Sequence, residues 1–183
     1  VHSASGDVDI DNALAGAVTV SSLTTAGGGT ILFENTGAGG VSFGTVSTTG
    51  DGSPLNGEDD ITLSSDGGDL TITTSVTADG DGDVILNTTN AGNVILTGTT
   101  TAAGHEVTVN SVGSISGAGL VTAATVDLNA ATGIMANLAA STITADNSTS
   151  GDVDIDNALA GAVTVSSLTT AGGGTILFEN TGA

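Results

Sequence analysis

Pairs of apolar residues separated by one residue recur along this chain at short and similar intervals. The leading pairs are Val8/Ile10, Ile31/Phe33, Ile61/Leu63, Val84/Leu86, Val107/Val109 and Val126/Leu128. Alternation of apolar and polar side chains is typical of a strand with one buried face. A recurrence at about 23 residues is typical of stacked repeats, which bury their apolar side chains only against their neighbours. The spacing therefore predicts an all-β parallel β-solenoid.

Two further series of apolar residues follow the first within each short repeat. The second trails by about ten residues and begins with Val18/Val20, Val41/Phe43, Leu70/Ile72 and Val94/Leu96; the third contains Leu23, Val46, Val76, Thr99 and Leu120, and then Leu138 or Ile143. Glycine-rich corners separate the series, and glycine permits the backbone to turn with positive φ. The pattern predicts three short strands per coil. A β-sandwich also has short alternating strands, but it gives no reason for this period.

A long repeat encloses the short one. Residues 150–183 reproduce residues 5–38 without a mismatch, at an offset of 145 residues. The leading pairs then continue from Val126/Leu128 to Val153/Ile155, so that one long unit contains about six coils of about 24 residues. We expect residues 1–149 to be the first long repeat unit and residues 150–183 to be the start of the next, identical unit, with Val153 stacked on Val126.

The charge balance excludes several classes of function. The 183 residues include 20 Asp and Glu but no Lys or Arg, which gives a net charge of −20, and there is no Cys, Trp or Tyr. Nucleic acids are recognised through cations that contact phosphates, so nucleic acid is not an expected partner. No apolar run reaches the ~20 residues of a membrane helix, so membrane insertion is not expected either. Phe33, Phe43 and Phe178 fall at inward positions, where they would fill the core.

The same inventory argues against an enzyme. Inverting hydrolysis of a glycoside needs two carboxylates ~6.5–9.5 Å apart, which Glu58, Asp59 and Asp60 or the pair Asp66 and Asp69 could offer. Solenoid enzymes of this kind act mostly on acidic polysaccharides, which this chain would repel, and aromatic residues for sugar stacking are missing. His105 lies beside Glu106 at a corner without a second histidine nearby. We predict no catalytic and no cofactor-binding residue.

Short motifs at the strand starts resemble a known type of protein. They read GDVDID at residues 6–11, GDLTIT at residues 68–73 and GDVILN at residues 82–87. This pattern resembles the repeats of filamentous-haemagglutinin-like and autotransporter-like β-solenoids of large bacterial exoproteins. The resemblance implies a right-handed parallel β-helix in a large exported protein, located extracellularly or at the cell surface. It carries over no site residue.

Function is therefore expected from the repeat itself. We expect a structural repeat of a fibrous or adhesin-like protein, whose partner is itself, through covalent tandem repeats or head-to-tail contact. A ligand-binding solenoid with a carbohydrate or ice surface is the alternative, and a polysaccharide hydrolase is the least favoured. An ice surface needs hydroxyl pairs in register, whereas the outward positions of the second series run Thr19/Ser21, Ser42/Gly44, Thr71/Thr73 and Ile95/Thr97.

An acidic corner is the one candidate metal site. The step between the second and third coils is 30 residues long, and the extra residues fall in 50–60; one coil later the same corner reads DGDGD at residues 79–83. If these corners stack, they gather Asp51, Glu58, Asp59, Asp60, Asp79, Asp81 and Asp83. Ca²⁺ suits such a cluster, because it accepts six to eight oxygen ligands in flexible geometry. Diffuse screening by cations is the alternative.

Overall fold

The computed structural model describes residues 1–50 and 59–182 as a parallel β-solenoid of about seven coils. Every pairing between the strands of this part is parallel. The described residues contain no helix, and hence none that could cross a membrane. The predicted fold class is confirmed.

The strands of the described residues are short in the first coils and fuse in the later ones. They are β1 (Val8–Asn12), β2 (Val18–Thr24), β3 (Ile31–Asn35), β4 (Val41–Ser47), β5 (Ile61–Gly67), β6 (Leu70–Ala78), β7 (Val84–Ala91), β8 (Val94–Leu96), β9 (Thr99–Ser111), β10 (Ile115–Ser116), β11 (Leu120–Ala130), β12 (Ile134–Asn147), β13 (Val153–Asn157), β14 (Thr164–Thr170) and β15 (Ile176–Asn180).

Stacked strands form three columns that correspond to the three sequence series. The first column aligns Val8, Ile31, Ile61, Val84, Val107 and Val126, as predicted. The second column aligns Val18, Val41, Leu70, Val94 and Ile115. The third column aligns Leu23, Val46, Val76, Thr100 and Val121. All members except Val18 are buried, so the core runs along the solenoid axis between the columns.

Two inward positions of the third column were predicted one residue too early. Thr100 and Val121 are buried, whereas Thr99 and Leu120 face outward, Leu120 with 38% of its surface exposed. Strand alternation explains the difference, because Val121 and Ala123 point inward together. Leu120 inside would turn both of them outward and would bury Thr122 instead.

The second copy of the repeat does not occupy the same columns as the first. Val126 is followed in the first column by Ile143 and then Val165, whereas Val153 stacks on Ile134 in the second column. The prediction that Val153 stacks on Val126 is therefore wrong. The second copy is shifted because β12 is a single 14-residue strand that crosses the second, third and first columns without a loop. Six coils and one further face thus separate Val8 from Val153.

This shift exchanges the positions of identical segments. Residues 153–157 copy β1 of the first column but lie in the second, with Asn157 paired to Leu138 of the third. Residues 164–170, which copy the second-column strand β2, lie in the first. Both segments supply alternating apolar side chains, so either column accepts either one.

The phenylalanines fill the core as predicted. Phe33 of the first column meets Phe43 of the second in a T-shaped contact, with ring centroids 5.1 Å apart and planes at 89°. Phe33 and Phe43 are buried, and Phe178 is partly buried against the same cluster. Edge-to-face geometry is favoured between aromatic rings, and here it ties two columns together across the solenoid interior.

The exchange of columns is testable by crosslinking, since the chain has no native cysteine. Met135 pairs with Asp154 in the structure, at the ~4.8 Å spacing of adjacent strands, and the side chain of Met135 is exposed. We expect the double variant Met135→Cys/Asp154→Cys to crosslink readily with a short bifunctional thiol reagent. Asp127→Cys/Asp154→Cys is the matched control, since Asp127 instead pairs with Thr144. Preferential crosslinking of the control pair would contradict the shift and support the register in which Val153 stacks on Val126.

Candidate functional site

Acidic and amide side chains at the strand starts hydrogen-bond to the next coil, and we call each such bond a bracket. The residue directly before the first apolar residue of a strand uses its side-chain oxygen to accept the backbone N–H of the equivalent residue one coil later. These bonds are Thr30 N to Asp7 Oδ1 (2.9 Å), Asp83 N to Asp60 Oδ1 (2.8 Å), Glu106 N to Asp83 Oδ1 (2.9 Å), Asn93 N to Asp69 Oδ1 (2.8 Å), Ser114 N to Asn93 Oδ1 (2.9 Å) and Thr175 N to Asp152 Oδ1 (2.8 Å).

This bracket gives the Gly-Asp motif a structural role. Each bracket satisfies a backbone donor that lies just outside the strand ladder, and charged acceptors make the stronger hydrogen bonds. A glycine precedes the bracket residue where the backbone has a positive φ or where another coil leaves no room for a side chain. Gly92, before Asn93, has a φ of 109°, and a Cβ there would lie 2.3 Å from the backbone of Gly68. The sequence motif was recognised, but its bonding partner one coil away was not.

The acidic corner contains the residues predicted to bind metal. Asp51 and Glu58 lie outside the described residues, and the other five are described. The two corners are neighbours, as expected, because Thr48 connects them. Its Oγ1 donates to the carbonyl of Asp59 (2.8 Å) and accepts the N–H of Asp79 (3.1 Å).

Asp59 is the most constrained residue of this corner. It is 1% exposed and has a φ of 64°, which is uncommon for a residue other than glycine. Its Oδ2 lies close to the backbone of both corners, since a Cβ at Gly50 or at Gly80 would be 2.9 Å from it. The two glycines therefore make room for the carboxylate.

Asp60, Asp81 and Asp83 are close enough to influence one another. Burial raises the pKa of Asp60, as do the charges of Asp83 and Asp81, against the lowering effects of the bond from Asp83 N and of the nearby His105. Both carboxylate oxygens of Asp81 are shielded from solvent and accept no hydrogen bond from a described residue. The corner thus concentrates negative charge, and its described surroundings offer Asp81 no hydrogen-bond donor.

The described part of the corner is not a complete metal site. Within residues 1–50 and 59–182, no three acidic, histidine or cysteine side chains converge as metal ligands. Asp60 and Asp83 each use one carboxylate oxygen as a bracket. His105 lies near Asp60, a proximity that becomes evident only when Glu106 is aligned with Asp83 across one coil.

A second feature is a surface of hydroxyl groups that sequence reasoning missed. Two outward rows run in register along the third column: Ser22, Thr45, Ser75 and Thr99 form one, and Thr24, Ser47, Thr77, Thr101 and Thr122 form the other. We call these the hydroxyl rows. The irregular second column had been considered for such an array, whereas the regular array lies beside it. The signal was in the sequence, as Ser-x-Thr, Thr-x-Ser and Thr-x-Thr around the inward residues.

Two outward hydroxyls of the second column already bond to the chain itself. In the second column, Thr73 Oγ1 donates to the carbonyl of Phe43 (2.7 Å) and Thr97 Oγ1 to that of Ile72 (2.8 Å). In the hydroxyl rows, Thr24 contacts His2, and no other side chain of the rows is hydrogen-bonded to the described chain. The rows therefore present unused donors and acceptors to the outside.

Comparisons of the chain with protein-family models, curated proteins and solved structures find no match. The resemblance to filamentous-haemagglutinin-like and autotransporter-like repeats therefore remains a prediction, and the shown property is the β-solenoid fold.

Two bracket residues are expected to respond to pH in opposite directions. The pKa of Asp60 is raised mainly by burial, so its charge costs stability at neutral pH. We expect Asp60→Asn, which retains the Oδ1 acceptor, to raise the melting temperature at pH 7. This gain should shrink as pH falls through the raised pKa, because the wild-type carboxyl then takes up a proton.

Asp152→Asn is the matched control. Hydrogen bonds from the N–H and hydroxyl of Thr175 lower the pKa of Asp152, so its ionised form favours folding. That contribution is present above the ordinary carboxyl pKa and is lost as pH falls through the lowered value. Asp152→Asn should therefore lower the melting temperature at pH 7 and converge with the wild type in acid. Shifts of the same sign in both variants, measured by circular dichroism, would contradict this assignment.

Proposed function

We propose that this chain is a non-catalytic structural repeat of a tandem array, in an extracellular fibrous or adhesin-like surface protein that extends by stacking coils. The observation that carries the proposal is the way the second copy joins the first. Val153–Asn157 stack in register on residues 134–138, and Ile176–Asn180 stack on Val153–Asn157. The repeat therefore continues the existing ladder and core, and does not begin a separate domain.

Identical residues in the two copies indicate which strand could cover the last coil. Ile31 is 1% exposed because the coil containing Ile61 covers it, whereas its copy Ile176 is 45% exposed. The first copy thus demonstrates what fits on Ile176, namely a strand such as β5. Covalent tandem repeats supply that strand directly; head-to-tail contact between chains would cover the same edge with a different coil. Either arrangement generates a filament, because a contact between unlike ends does not close on itself.

The surface composition fits a role outside the cell. A net charge of −20 without Lys or Arg favours solubility. Stability without cysteine avoids dependence on disulfide formation during export. The Gly-Asp motifs that resemble exported solenoids support the same location.

Extending the chain tests the array. A protein in which Ala183 is followed by a second copy of residues 39–149 should unfold at a higher temperature, since each coil is stabilised by its neighbours. Small-angle scattering should show a rod longer by about 24 Å, for about five added coils at ~4.8 Å each. The control carries a shuffled sequence of the same composition in place of the added copy. An added copy that unfolds separately, or leaves the rod length unchanged, would contradict the proposal.

We further propose that cations, with Ca²⁺ as the candidate, stabilise the acidic corner. Asp81 supports this, because a carboxylate shielded from solvent is costly unless a donor or a positive charge compensates it, and no described residue donates a hydrogen bond to Asp81. The carboxylates of Asp59 and Asp79 lie in the same pair of stacked corners. Because the protein has no Lys or Arg, only a protonated histidine could supply the compensating charge from a side chain.

Thermal unfolding distinguishes specific binding from screening. We expect Ca²⁺ at constant ionic strength to raise the melting temperature of the wild type and to raise that of Asp81→Asn less. Asp127→Asn, on an outward position away from the corner, should respond as the wild type does. Equal responses to Na⁺ and Ca²⁺ at matched ionic strength would reduce the effect to screening. A melting temperature indifferent to both would reject cation stabilisation.

A further inference from the structure

Among the described residues of 1–149, the strands of two of the three columns contain no acidic residue. The strand segments of the second and third columns contain no Asp or Glu; they are residues 18–24, 41–47, 70–78, 94–102, 115–123 and 134–140. The described acidic residues of the same unit lie in the first column or at the corners. We call the outward surface of these six segments the uncharged side. It includes the hydroxyl rows.

We propose that the uncharged side is the surface through which two copies of this chain associate side by side. Charge supports this choice of partner. Because each copy carries a net charge of −20 and has no Lys or Arg, contacts between acidic sides are repulsive. The uncharged side is the lateral surface on which two copies approach without placing carboxylates against each other.

The chemistry of the hydroxyl rows also fits a second copy. A hydroxyl group both donates and accepts, so a row of hydroxyls is complementary to an identical row. Ser75, Thr77, Thr99 and Thr101 make no side-chain hydrogen bond to the described chain, and their outward positions leave them free to make such bonds elsewhere. The repeat spacing of two such surfaces matches automatically, because both are set by the same ~4.8 Å strand separation.

The exchange of columns extends this surface to both sides of a filament. In the second copy, the charge-free segment of residues 164–170 lies in the first column, while Asp154, Asp156 and Glu179 lie on strands that stack on residues 134–138. In the tandem array proposed above, on which this step rests, successive units therefore present the uncharged side in different directions. A filament can then bind neighbours on both sides, which generates bundles and not only pairs.

A matched pair of variants in one coil tests the contact on the 183-residue chain itself. Ser75→Asp/Thr77→Asp adds two charges to the uncharged side, and Ser64→Asp/Thr62→Asp adds two to the first column of the same coil. All four side chains lie outward, and none makes a side-chain hydrogen bond within the described chain. Sedimentation over a concentration series at high salt measures self-association, and circular dichroism verifies that both variants fold.

We expect concentration-dependent association of the wild type, strengthened by salt. The Ser75/Thr77 variant should weaken it by about tenfold or more, because like charges facing each other across an interface cost several kcal/mol. The Ser64/Thr62 variant should change it by less than about threefold. A wild type that stays monomeric at every concentration, or equal effects of the two variants, would overturn the proposal.

Growth of faceted ice crystals that only the Ser75/Thr77 variant abolishes would assign the surface to ice instead. None of these outcomes bears on the extended-chain test of the tandem array.

Discussion

Backbone pairing between successive coils is the interaction on which the rest of the structure depends. No coil has a core of its own, because its inward side chains are covered only by those of the coils before and after it. Parallel ladders hold the spacing, but they leave backbone donors at the corners, where the strands have ended. The Asp and Asn brackets fill that gap, as Asp60 does for the N–H of Asp83. Where a Gly-Asp motif supplies the bracket, as at Asp69 and Asp83, it is thus a means of joining coils.

The brackets also explain how a chain without cations tolerates its charge. Carboxylates such as Asp83 and Asp152 face backbone N–H groups, whose partial positive charge compensates them locally. Outward acidic residues in the first column mostly pair with uncharged neighbours. Asp127, for example, lies between Thr108 and Thr144. Asp11 is an exception, because it pairs with the acidic residue Glu34 on the adjacent strand. The second copy has the same pairing between Asp156 and Glu179. In the acidic corner Asp60 and Asp83 have this compensation, but Asp81 accepts no hydrogen bond from a described residue, which is why cation dependence is expected there.

The fold was predictable from sequence because inward alternation and period are local properties, readable from Val8 to Val126. The register of the late coils was not, because it depends on loop length. The 27 residues between Val126 and Val153 look like one long coil, yet Ile143 and Ala145 complete a coil within them. The acidic residues of the corner could likewise be located, but not the bonds that Asp60 and Asp83 already make. Those bonds join residues 23 positions apart and have no signature in either segment alone.

Identical sequences in different columns show how little each column demands of its strands. Residues 8–12 and 153–157 share every side chain, yet one set faces the core from the first column and the other mainly from the second. Both columns require alternating apolar residues, and a polar group such as Asn157 can bond at the corner, where its Oδ1 accepts the N–H of Ala140. Outward side chains are not constrained by this packing at all. Duplication of a segment therefore preserves the core whichever column it enters, while the direction in which its outward charges and hydroxyls point is set by the number of faces that precede it.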